Sequence, residues 1–146
     1  MTRRIALAGA AVAAAIVTVG GCAGTDVTKE RLEGAVGPEF SNLYMLQQRA
    51  RHGNDRAERP DRWADCKRGS KSSPDRGAAD DWTCVVRWPS PGGVTRPLTY
   101  EVHVLPTGCF TAQGPATQVG QQLMKDIDGV SRTNPLYEFD GCFDVS

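Results

Sequence analysis

Five cysteines carry most of the chemistry this sequence offers: Cys22, Cys66, Cys84, Cys109 and Cys142. No two form a Cys-x-x-Cys pair, which argues against a redox dithiol. Neither His52 nor His103 stands at zinc-ligand spacing from a cysteine. His103 shares a strand face with Glu101 and could act as a base towards a serine or threonine. A solvent-facing strand histidine is the plainer expectation. No Gly-x-Ser-x-Gly, His-Glu-x-x-His or P-loop occurs. Asp80-Asp81 and the Asp126/Asp128 pair lack the regular oxygen-ligand spacing of a calcium loop, so they are expected as solvated turn carboxylates. The residues therefore point to a protein with no catalytic group, no metal and no cofactor.

Cys22 is set apart by what precedes it. Arg3 and Arg4 begin the chain with positive charge, and Ile5 to Val19 is an uncharged apolar run. About 15 apolar residues fall short of the roughly 20 that cross a bilayer as a helix. Gly20 and Gly21 then supply the small side chains a signal peptidase accepts. Val19, Gly21 and Cys22 together resemble the lipobox of bacterial lipoproteins. That resemblance implies removal of residues 1–21 and a thioether-linked diacylglycerol on Cys22. It also implies a place at the extracytoplasmic face of the cytoplasmic membrane. Two acyl chains, at about 0.8 kcal/mol per buried methylene, make a lasting anchor.

Cleavage would leave 125 of the 146 residues, enough for one domain. Losing Arg3 and Arg4 leaves 15 basic against 17 acidic residues, a net charge of −2. No general nucleic-acid binder is expected from that balance. Outside the cytoplasm the other four cysteines read as two disulfides. Three pairings are possible, and the sequential one, Cys66–Cys84 with Cys109–Cys142, is expected. Each bridge would stabilise the fold by roughly 3–4 kcal/mol through loop closure.

The elements that position these residues follow from the patterning. Residues 22–28 are expected as the lipidated cysteine and a short tether, and 29–146 as a single α+β domain. Thr28 can cap a helical turn, and Gly37-Pro38 predicts an interruption from which a helix restarts. Its apolar stripe is Phe40, Leu43 and Tyr44. Residues 49–76 hold nine basic and five acidic side chains, expected to be solvated and paired within the domain, or else to touch anionic headgroups. Within it, Trp63 and Cys66 suggest a turn or short helix, and Lys67 to Ala79 a mobile loop. Trp82 to Trp88, Leu98 to Leu105 and Cys109 to Gln113 alternate as strands of an antiparallel meander. Pro89 to Pro97 reads as a loop. Asp128-Gly129 predicts a hairpin turn, after which Leu136, Phe139 and Phe143 pack the tail on the core. One amphipathic helix on an antiparallel sheet of about four to five strands is the expected architecture.

The segments Val36-Gly-Pro-Glu-Phe40, Asp81-Trp-Thr-Cys84, Gly108-Cys-Phe-Thr-Ala112 and Asn134-Pro-Leu-Tyr-Glu-Phe-Asp-Gly-Cys142 resemble small secreted lipoproteins of actinobacteria. The resemblance supports export, both bridges and a single domain; it transfers no catalytic residue. A membrane-anchored, monomeric binding or accessory module of the cell envelope is the leading expectation. Its partner would be an envelope protein or a wall component. An inhibitor-like recognition domain using the 89–97 loop is the alternative, and a small envelope hydrolase the remote one.

Overall fold

The structure is a computed structural model that describes residues 26–53, 57–69, 72, 74–89 and 94–146. The leader, Cys22, the start of the tether and positions 70, 71, 73 and 90–93 of the two expected loops lie outside the described residues. Among the described residues no helix is long and apolar enough to cross a membrane.

Helix α1 (Lys29–His52) opens on Thr28, whose hydroxyl accepts from the Arg31 N–H at 3.4 Å. Arg49, Arg51 and His52 fill the last turn, where positive charge suits the exposed carbonyls. The interruption expected at Gly37-Pro38 does not occur: α1 runs through Pro38 unbroken. The residue before a proline is normally pushed out of the helical region by its own Cβ, and Gly37 has none. Val27, assigned by sequence to the tether, is buried in the core, so the folded domain includes it.

Five strands make one antiparallel sheet: β1 (Ala64–Arg68), β2 (Ala79–Pro89), β3 (Thr95–Val104) and β4 (Cys109–Gln113), then, after an excursion, the last strand. The excursion holds a short helix, α2 (Ala116–Val119), and a separate hairpin of β5 (Leu123–Lys125) and β6 (Ser131–Thr133). β7 (Glu138–Cys142) then pairs with β4 to complete the order β1-β2-β3-β4-β7. In place of the turn or short helix expected around Trp63 and Cys66, edge strand β1 begins at Ala64, directly after Trp63, and carries Cys66. The expected 89–97 loop is shorter than its sequence suggests, since the β2–β3 ladder continues to Pro89 opposite Thr95. Pro97 sits there opposite Arg87, where its missing N–H is tolerated away from the centre of the ladder.

The sheet curls around α1 so that the helix touches both edge strands, β1 and β7. Leu32, Val36, Phe40 and Tyr44 of the helix are buried, with Leu43 half-buried beside them. They meet Trp82, Val86, Leu98, Tyr100, Val102 and Val104, the inward faces of the alternating strands. Phe40 lies 6.0 Å from Tyr100 and 6.2 Å from Trp88, ring centre to ring centre. Burial pushes the Tyr100 phenol up, so it stays neutral and donates to the Leu136 carbonyl at 2.9 Å. Leu136 and Phe139 are buried and Phe143 packs against them, as expected from sequence.

The hairpin turn at Asp128-Gly129 is present and is organised by Asp126. One carboxylate oxygen accepts from the Asp128 and Val130 N–H groups at 3.0 and 2.8 Å, and the other accepts from Arg132. The Arg132 hydrogen bond, with these backbone donors, holds the Asp126 carboxyl below the ordinary carboxylate range. A lowered folded value means the stabilisation is present above the unfolded value and lost as pH falls through the folded one. Hairpin opening is therefore expected below about pH 4. The Val130 amide should then exchange faster, while Arg132→Ala should move that onset to higher pH. An NMR pH titration checks both.

Candidate functional site

Both bridges expected from sequence are formed, Cys66–Cys84 and Cys109–Cys142. Each joins residues directly opposite on neighbouring strands. The Cys66 N–H turns away from β2 to a Glu33 carboxylate oxygen at 2.8 Å. The bridge thus spans a non-hydrogen-bonded pair, where strands come closest. Cys66 and Cys84 are buried, whereas Cys142 is exposed.

The register set by the buried bridge also builds a concave surface that combines an exposed indole with charge. Three residues before Cys66 and three after Cys84 bring Trp63 and Arg87 together on the face of the sheet away from the helix. The Arg87 guanidinium carbon lies 4.3 Å from the centre of the Trp63 ring. Its Nη1 donates to Asp61 at 2.9 Å. Trp63 keeps 40% of its surface exposed, so the indole is available as a platform. With Val85, Thr95 and Pro97 these residues line an open concavity of about 360 Å³ at the foot of the 89–97 loop. Trp63 directly precedes β1, and no motif in the sequence pairs it with Arg87. Counting outwards from Cys66 and Cys84 as strand neighbours was the signal that could have found them.

The segment that carries Trp63 is strapped to the helix. Ser41 donates to the Pro60 carbonyl at 2.9 Å. At Gly37 a Cβ would stand 2.2 Å from the Arg62 carbonyl oxygen. The platform is therefore fixed by backbone contact, while its charges stay exchangeable. The Arg87 and Asp61 side chains are each about half exposed, and such pairs contribute roughly 0–1 kcal/mol. An incoming anion can take Arg87 from Asp61 at little cost.

The other candidates are dispersed. His103 pairs through Nδ1 with Asp80, not with Glu101, and both side chains are exposed, 49% and 83%. Thr111 is its cross-strand neighbour. Among the described residues His103 makes no hydrogen bond to a hydroxyl. Asp126 is committed to its hairpin, and Asp81 is paired with Arg68. The basic stretch pairs within the domain at several points, including Arg68 with Asp81 and Arg76 with Asp26. Among the described residues no group of three or more His, Cys, Asp or Glu side chains converges as a metal site.

No protein-family model, curated protein or solved structure matches the chain.

Proposed function

We propose that the chain is a cell-envelope lipoprotein, cleaved after Gly21 and anchored by diacylglycerol on Cys22, whose α+β domain is a non-catalytic binding module. The observation that carries the binding part is the exposed Trp63 ring with the Arg87 guanidinium stacked on it and loosely held by Asp61. A ring and a cation side by side suit a ligand with a flat or sugar-like face next to an anionic group. Acidic cell-wall glycan has that chemistry and meets a protein at the outer face of the membrane. The two disulfides support an oxidising compartment, and Val19, Gly21 and Cys22 support the anchor.

Two measurements test it. Alkyne fatty-acid labelling in cells should mark the chain and fail on Cys22→Ala, which should also leave the membrane fraction. Purified wall should sediment the full chain, and Trp63→Ala or Arg87→Ala should cut the bound fraction about fivefold or more, as expected for losing a stacking and charge contact. Equal sedimentation of all three proteins would discard the site. Labelling of Cys22→Ala at the wild-type level would discard the anchor.

The inhibitor-like reading keeps one observation in its favour: Thr95, Arg96 and Pro97, at the foot of the loop, border the same concavity and are exposed. Crosslinking from intact cells at Thr95 to a protein, with no wall binding, would select it.

A further inference from the structure

The two edges of the sheet are finished differently. On β1 the outward N–H groups of Cys66 and Arg68 are taken by the carboxylates of Glu33 and Asp75, both at 2.8 Å. That edge is closed to another strand. On β7, Gly114 donates to the Tyr137 carbonyl and Phe143 to that of Gly108, at the two ends of the β4–β7 ladder. In an antiparallel pair such hydrogen-bonded positions alternate, so Phe139 and Gly141 face β4. The N–H and C=O groups of Glu138, Asp140 and Cys142 therefore point away from it. Among the described residues nothing bonds to them.

The charge along this edge has one sign. Glu138 lies in one cross-strand row with Gln113 and Glu101, and Asp140 in the next with Thr111 and His103. Glu101, Glu138 and Asp140 are exposed, and none has an ion-pair partner among the described residues. Like charges on an edge discourage two copies from pairing there. The same charges favour a strand of opposite sign.

We infer that β7 is a docking edge for an extended cationic segment, which adds as a sixth strand with Lys or Arg at two alternate positions. Its residues opposite Glu138 and Asp140 exchange backbone hydrogen bonds with them and set their cations beside the two carboxylates. The residue between them turns to the concave side, the side to which Phe139 points, and is small or apolar. This surface is separate from the Trp63 concavity and does not depend on the anchor.

Asp140 allows a specific test, because its N–H serves only the docking strand. Proline is compatible with such an outward position on an edge. A fluorescent, end-capped peptide alternating lysine with valine is titrated into the full chain in detergent, beside its glutamate counterpart. The lysine peptide should bind, the glutamate peptide should not, and added salt should weaken binding. Asp140→Asn should weaken it about two- to fivefold, and Asp140→Pro about tenfold or more by removing the backbone donor as well. Hydrogen exchange on the unaltered chain should show the Glu138 and Asp140 amides becoming protected when the peptide binds, whatever the proline variant's stability. Unchanged exchange at those amides would overturn the proposal. So would equal affinity of folded Asp140→Pro and the unaltered chain, or sedimentation showing that two copies already pair along this edge.

Discussion

Gly37→Ala should destabilise the domain by about 3 kcal/mol, although alanine is the better helix former by about 1 kcal/mol. The added Cβ would stand 2.2 Å from the Arg62 carbonyl oxygen, 2.7 Å from its carbon and 3.1 Å from the Trp63 carbonyl carbon. All three are backbone atoms, so no side chain can swing aside. Either α1 moves off the sheet or the 60–63 segment moves off α1, and the second displaces Trp63 from Arg87. The midpoint of thermal unfolding should fall by roughly 10 °C, and wall sedimentation should weaken with it. Gly34→Ala provides the contrast on the same helix: its Cβ would meet nothing within 4 Å. Relief of glycine's conformational entropy should then raise stability by about 0.5–1 kcal/mol. Calorimetry on the two variants decides the matter, since a midpoint rising in both would contradict the close contact.

Cys66→Ala combined with Cys84→Ala should cost about 3 kcal/mol from loop closure over a separation of 18 residues. A further loss comes from the space left by two fully buried sulfurs. Removing Cys109 and Cys142, separated by 33 residues, should cost about as much through the loop alone, since Cys142 is exposed and leaves less of a void. Denaturant titration of the two double variants measures both. Losing both bridges takes away about 7 kcal/mol, comparable with the whole stability of a typical domain. An excess of dithiol reductant should therefore unfold the chain at 37 °C without other denaturant.

Much of this architecture can be read in the residues, for identifiable reasons. The strands β2, β3 and β4 alternate strictly because one face is buried under α1 and the other is solvated. Phe40 and Tyr44 recur at helical spacing because they meet that buried face. The outer strands were illegible. β1 contributes only Ala64 and Cys66 to the core, and its remaining residues are charged. It is a strand because a bridge and two carboxylate caps hold it there. β7 sends only Phe139 fully inwards. Pro38 misled because the glycine before it removes the usual steric objection to a helix. Trp63 and Arg87 carry no motif; they become neighbours only once Cys66 and Cys84 are known to face each other across a ladder.

The cystines also decide how the sheet can come apart. One fastens the first strand in spatial order to the second, the other the fourth to the fifth. Margins of a sheet ordinarily fray before its middle, but here both margins are riveted. Separation is left to the two inner seams flanking β3, beneath Tyr100 and its neighbours. Peeling from the rim is thereby suppressed, and while the rivets hold, outer and inner strands should lose their order together.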